Sequence, residues 1–117
     1  MEKRYFTRVE CYEGASIKHD NQQFFGDIQN ICLQGLFIKT KQSIPLNASL
    51  QITVYFTPDS LIYLNADVVR LDENGIGVKI KGMDVNSFVQ LRNAVAKQCN
   101  DHGRIMRETY RVTNCIH

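Results

Sequence analysis

Ile62-Tyr63-Leu64-Asn65-Ala66-Asp67-Val68, then Asp72-Glu73-Asn74-Gly75, then Ile76-Gly77-Val78-Lys79-Ile80: this run decides the fold. Ile62, Leu64, Ala66 and Val68 form one alternating apolar set, with Asn65 and Asp67 on the other face. Ile76, Val78 and Ile80 form a second, against Gly77, Lys79 and Lys81. Successive side chains of an extended chain point to opposite faces, so each set gives its strand one face to bury. The four residues between them are a tight-turn signal, because Asn-Gly tolerates positive φ. The spacing predicts a β-hairpin.

The same period extends upstream. Leu50, Ile52, Val54 and Phe56 alternate with Gln51, Thr53 and Tyr55. Pro45 and Pro58, in Ser43-Ile44-Pro45-Leu46-Asn47 and Thr57-Pro58-Asp59-Ser60, punctuate the chain on either side. Val9 and Cys11 suggest an early strand, and residues 25–30 and 36–40 suggest two more, joined through Gly35. Short strands with frequent turn signals predict a mainly β protein, a small antiparallel β-barrel of about six strands. Closing the sheet removes exposed edges. The pattern then changes. Asp84 is a good N-cap, and Phe88, Leu91, Val95 and Cys99 recur at helical spacing, with Gly103 as a C-terminal stop. A weaker helical signal follows around Ile105, Met106 and Tyr110. One domain over residues 1–117 is expected: a mobile basic segment over 1–8, a barrel over 9–82, and a C-terminal α-helical region over 84–111. The helix is expected to pack on the barrel.

Composition limits what such a domain does. The chain has 117 residues, of which 44% are hydrophobic and 22% charged, as in ordinary globular proteins. The longest unbroken apolar run is Leu61-Ile62-Tyr63-Leu64, far short of the roughly twenty residues of a membrane helix. Charged residues within the first eight leave no apolar signal core. A cytoplasmic protein with no membrane insertion is expected. The net charge of +2 is too mild for a general DNA or RNA binder. Cations and anions number six and five over residues 1–41, three and five over 42–91, and five and two over 92–117. Basic ends around an acidic middle suit a local anionic ligand better than a long polyanion. Cys11, Cys32, Cys99 and Cys115 lack metal-site spacing, so free thiols are expected, with no metal and no cofactor. His19, His102 and His117 form no nucleophile–base or ligand pattern, and no P-loop, nucleophile elbow or H-E-x-x-H appears. Nothing argues for an enzyme.

Two short constellations carry more. In Lys3-Arg4-Tyr5-Phe6-Thr7-Arg8, the two arginines share a side whether the segment is helical or extended. Their spacing is ~6 Å in the first case and ~13 Å in the second. Guanidinium forks suit phosphates and the guanine O6/N7 edge. Taken by itself, the same segment is also an ordinary solvated basic tail. In Asn30-Ile31-Cys32-Leu33-Gln34-Gly35, Asn30 and Cys32 would face one way, and Gly35 would permit a bend. Alone, this is an ordinary turn between strands.

In this order, at the front of a small barrel, the two resemble the PilZ domain family. Its hallmark is R-x-x-x-R followed by [D/N]-x-S-x-x-G, here Arg4-x-x-x-Arg8 and Asn30-x-Cys32-x-x-Gly35. Gly26-Asp27-Ile28 and Leu36-Phe37-Ile38 resemble the strands into and out of the second motif. Val68-Val69-Arg70 and Gly75-Ile76-Gly77-Val78 resemble the closing hairpin, and the helix after Asp84 follows in place. The resemblance implies a receptor for the bacterial second messenger cyclic di-GMP. It implies Arg4 and Arg8 as the clamp, Asn30 as an acceptor for a guanine N–H edge, and Gly35 as the residue shaping the turn. Cys32 departs from the family's serine. A thiol is a weaker donor and acceptor than a hydroxyl, and one modest hydrogen bond is worth roughly 0.5–1.5 kcal/mol. The departure bears on tightness rather than on binding.

The implied ligand-binding residues are Lys3, Arg4, Arg8, Asn30, Cys32 and Gly35. Lys3 adds a third cation beside the arginines, so two stacked nucleotides per chain are expected. Binding would order the N-terminal segment, and an effector protein would read the change. The alternative is a PilZ-like protein-interaction module that binds no nucleotide. A barrel for single-stranded nucleic acid would need a strongly basic groove with aromatic platforms, and the acidic middle disfavours it.

Overall fold

The structure, a computed structural model, describes residues 6–57, 60–99, 101–112 and 115–116. Lys3 and Arg4 lie outside the described residues. Among the described residues are seven strands and two helices: β1 (Val9–Glu10), β2 (Gly14–His19), β3 (Gln22–Ile31), β4 (Gly35–Lys39), β5 (Ser49–Thr57), β6 (Ser60–Asp72), β7 (Gly75–Met83), α1 (Val85–Gln98) and α2 (His102–Thr109). The strands are antiparallel in the order β1-β3-β2-β5-β6-β7-β4, and β4 also pairs with β3. That second pairing closes a six-stranded barrel, to which β1 is added beside β3. The alternating positions of β5, β6 and β7 supply its interior: Leu50, Ile52, Val54, Ile62, Leu64, Ala66, Val68, Ile76, Val78 and Ile80 are all buried.

Three local expectations are corrected. The strand β2 went unpredicted. Its buried residues Ala15, Ser16 and Ile17 make a weak apolar pattern. Pairing with β3 on one side and β5 on the other makes it a strand, a case of tertiary context outweighing local preference. Ser16 is tolerated inside because Gln23 Nε2 donates to its hydroxyl at 2.8 Å. The hairpin turn does lie between β6 and β7, but it uses no positive φ; that conformation falls instead at Asp20 and Asn47. Gly75 is needed for room, since a Cβ there would stand 2.0 Å from the Ile38 carbonyl oxygen. Third, Gly103 does not end the first helix. α1 stops at Gln98 with Cys99 as its C-cap, and Gly103 lies within α2.

The α1 helix packs on the barrel through Phe88, Leu91 and Val95. Ser87 joins them beneath it, and its hydroxyl accepts from Tyr63 N at 2.9 Å, fixing the helix to β6. Asp84 caps the helix by accepting from Ser87 N at 2.7 Å. The Ser87 hydroxyl first, and its backbone N–H second, hold the Asp84 carboxyl below its ordinary range. A depressed carboxyl pKa contributes stability above the unfolded value, and the contribution is lost as pH falls through the folded one. Asp84→Ala should therefore cost about 1 kcal/mol at neutral pH. It should also flatten the loss of stability below about pH 4. Urea unfolding of both proteins at neutral and acidic pH checks this; parallel pH curves would contradict it.

The second helix follows Asp101, whose carboxylate accepts from Arg104 N at 3.0 Å. Of the apolar residues that suggested it, Ile105 is buried, whereas Met106 and Tyr110 are exposed. At the opposite end of the chain, Phe6 belongs to the core, and Thr7 is bonded to Glu108 of α2. No described helix is long and apolar enough to cross a membrane.

Candidate functional site

A cavity of about 190 Å³ opens where the β3–β4 turn meets the edges of β6 and β7. Arg8, Cys32, Gln34 and Gly35 line it together with Phe37, Arg70, Gly77 and Lys79 of the neighbouring strands. The turn itself is tight. Cys32 N donates to Gly35 O at 2.9 Å, and Ile80 N donates to Gln34 O at 2.7 Å, which ties the turn to β7. Gly35 is needed here for close approach rather than for a bend. Its φ is not positive, and a Cβ would stand 2.2 Å from the Val78 carbonyl oxygen.

A register shift between Ile28 and Asn30 leaves an irregularity in β3 just before the motif. Such bulges re-aim the side chains beside them. Asn30 pairs with Glu10 on one side and Phe37 on the other. Its Oδ1 lies 3.5 Å from Arg8 Nη1, a long contact that leaves the guanidinium available. Cys32 and Gly35 line the opening with Arg8, whereas Asn30 is tied to it only through its contact with Arg8. Cys32 lines the cavity yet is only 5% exposed and belongs to the hydrophobic core.

Sequence reasoning missed the part of the lining that the neighbouring strands supply. Gly77 pairs with Phe37 of β4 and with Arg70 of β6, so three residues lie in one row across the sheet. A register shift between Val68 and Arg70 precedes that row. Because Gly77 carries no side chain, Arg70 lies over it, its Cβ 3.3 Å and its Nε 3.7 Å from the place a Cβ would take. The Arg70 guanidinium carbon sits 5.5 Å from the centre of the Phe37 ring, a cation–π contact. Half of this was available from the turn: counting back from Asp72 opposite Gly75 brings Arg70 opposite Gly77. The other half, Phe37 beside Gly77, comes from a pairing between distant segments that no local pattern announces.

Arg8, Arg70 and Lys79 give the opening three cations, and none of the described residues lining it is acidic. A flat, planar group can stack on an arginine plane, and phosphates can take its fork. A larger groove of about 490 Å³ runs between α1 and the segment from Val9 to Glu13. There Glu10 and Glu13 outnumber Lys97, so its charge does not favour an anion. The buried Cys11 thiol beside it has its pKa raised by desolvation.

Comparison with solved structures gives the same barrel in several proteins. The Bacillus subtilis inhibitor of motility, MotI/DgrA, superimposes with a TM-score of 0.71 at 14% identity. The match covers 83% of this chain and 51% of that one, so the chain spans about half of MotI/DgrA. The PilZ domain of Escherichia coli YcgR, solved with c-di-GMP, gives 0.66 at 13% identity, covering 94% of this chain and 98% of that domain. The PilZ domain of CeSA from a cellulose-synthesizing bacterium gives 0.63 at 9% identity, over 78% and 96%. At these identities the likeness is one of fold. No curated protein matches by sequence. The PilZ domain family model matches residues 2–97, which takes in both arginines, the Asn30–Gly35 turn and every strand of the barrel. The chain belongs to the PilZ domain family.

Proposed function

We propose that this chain is a receptor for cyclic di-GMP and not a catalyst. The observation that carries the reading is the convergence of Arg8, Arg70 and Lys79 on an opening that no described acidic residue lines. Cyclic di-GMP offers two phosphates and two flat guanines, the two chemistries that guanidiniums hold well. Arg4 and Arg8 form the clamp, with Lys3 beside them. Asn30 accepts from a guanine edge, Gly35 keeps the turn close to β7, and Arg70 offers a stacking plane already steadied by Phe37. The YcgR domain solved with c-di-GMP supports the choice of ligand by shared fold and family. Binding orders the part of the segment that carries Lys3 and Arg4, and an effector protein in the bacterial cytoplasm reads the result.

Isothermal titration with cyclic di-GMP, GTP and a short oligonucleotide tests the reading. Heat from cyclic di-GMP alone is expected, at two molecules per chain. A stacked pair carries four negative charges, which demand local cations. Lys3 and Arg4 precede Arg8 in the sequence, and Arg70 and Lys79 add two cations from the sheet. Replacing Lys3 with Leu should lower the ratio. One nucleotide per chain would remove the charge argument for the pair, and no heat at all would remove the receptor.

Cys32 allows a sharper experiment. Its thiol lines the opening but is nearly enclosed by the core. Cys32→Ser restores a good hydrogen-bonding group at that wall, so binding is expected to tighten by up to about tenfold. The hydroxyl must also enter apolar surroundings, so stability should fall by about 1 kcal/mol. Calorimetry and denaturant unfolding read the two effects separately. Weaker binding by the variant would show that position 32 does not face the ligand.

A further inference from the structure

The carboxylate of Glu108 is the most deeply buried acidic group among the described residues, at 4% exposure. It lies on α2, near the end of the chain, and the site described above makes no use of it. A carboxylate out of water must be matched by donors. Its donors come from the other end of the sequence. Thr7 N donates to Oε1 at 2.5 Å, and the Thr7 hydroxyl donates to Oε2 at 2.7 Å. Arg104, one turn earlier on α2, places Nε 3.7 Å from Oε2 and supplies the countercharge. Both oxygens are therefore engaged by one residue, and that residue is the immediate neighbour of Arg8.

We propose that Glu108 is the positioning residue of the arginine clamp: α2 fixes Thr7 through it, and so sets where Arg8 enters the site. The proposal rests on the reading of the site as a cyclic di-GMP receptor. Arg8 is exposed, and its contact with Asn30 is a long one, at 3.5 Å. That contact is too weak to hold a flexible side chain in place, and the backbone is held on the far side of Arg8 by Val9, paired with Ile31. Phe6 anchors the chain on one side of Thr7 by apolar packing, which is not directional. Two charge-assisted bonds to a buried carboxylate are directional, and they fix the backbone one residue from the guanidinium. The carboxylate is fixed in turn, since Ile105 and Val112 bury α2 against the core. Holding a binding group in its bound place before the ligand arrives removes an ordering cost from binding. By linkage, a ligand that engages Arg8 must stabilise the Thr7–Glu108 contact to the same degree.

The test uses the full chain and three variants, Thr7→Val, Glu108→Gln and the pair together. Each single change is close to isosteric, removing one bond and keeping the shape. Calorimetry with cyclic di-GMP should show each single variant about five- to tenfold weaker. The double variant should be little weaker than the worse single one, because both remove the same anchor. Thermal melting without ligand is recorded alongside. A merely structural contact would lower the melting temperature and leave affinity unchanged, and that result overturns the proposal. Losses that multiply in the double variant overturn it as well. Glu108→Gln bears on a buried group, so Thr7→Val, at the half-buried end, guards against a folding failure. Hydrogen exchange gives a second measurement on the unmodified chain. Saturating cyclic di-GMP should slow exchange of the Thr7 amide and of α2 across Ile105–Thr109, and unchanged protection there counts against the coupling. If the unmodified chain gives no heat with cyclic di-GMP, the receptor reading fails and this proposal with it. If it binds, and Arg8→Ala weakens it while the Thr7 and Glu108 variants do not, only the positioning role fails.

Discussion

Arg8→Ala should weaken cyclic di-GMP binding by at least about tenfold with little change in melting temperature, and Arg4→Ala should do the same. A hydrogen bond from a guanidinium to a phosphate is charge-assisted and contributes roughly 1.5–3 kcal/mol, which is about tenfold or more in affinity. Arg8 is exposed and lies outside the hydrophobic core. Binding and folding therefore separate at this residue. The effect should also shrink at high salt, because exposed charges are screened beyond a Debye length of roughly 10 Å at 0.1 M. Titration calorimetry at two salt concentrations, with thermal melting of the same samples, checks both parts. An Arg8 variant that binds like the unmodified chain would falsify the clamp.

Gly35→Ala should act through the opposite route. The added carbon would stand 2.2 Å from the Val78 carbonyl oxygen, with the Val78 carbonyl carbon at 3.3 Å. Both are backbone atoms of β7, so neither can swing aside as a side chain would. The strands must part where β4 meets β7, which strains the pairs of Gly35 with Lys79 and Leu36 with Val78. We expect a loss of about 2–3 kcal/mol of stability, by analogy with overpacked cores. Binding should fail with it, because the turn carrying Cys32 and Gln34 is displaced from Lys79. Gly14→Ala is the matched control, since a Cβ there meets nothing within 4 Å. Urea unfolding should separate the two alanine variants clearly; equal stabilities would mean that β4 and β7 are further apart than the structure has them.

The two glycines also mark where the sequence could be understood and where it could not. That a turn lay between β6 and β7, and another between β3 and β4, was legible from apolar alternation and from Gly35 and Gly75. Why those positions need glycine was not. Local reasoning supplies only conformational freedom, whereas the cause is a carbonyl from a strand far away in the chain. The barrel itself was legible because β5, β6 and β7 alternate over long runs. β2 was not, since Ile17 is the one large apolar residue in a strand made by its neighbours. At the site, the order of the motifs singled out Arg8, Cys32 and Gly35, which the structure brings to one opening. Arg70 and Lys79 were passed over as outward-facing residues of a hairpin. Their convergence with Arg8 needs the closing pair of β4 with β7, which is a fact of tertiary structure.

Closing the barrel through β4 has a consequence for how the protein is made. Three residues, Cys32 to Gln34, join β3 to β4, so that pairing is local and fast to form. Its other edge must wait for β7, which leaves the ribosome after β5 and β6 have both emerged. Until then the edge of Leu36 and Ile38 is bare, in a chain whose neighbouring strands are rich in β-branched residues. The turn that carries Asn30 and Gly35 and the strand that carries Lys79 stand on either side of this last seam. On the receptor reading proposed above, ligand would favour molecules whose seam has shut, and it should protect a newly synthesised chain from aggregation by drawing it into that state.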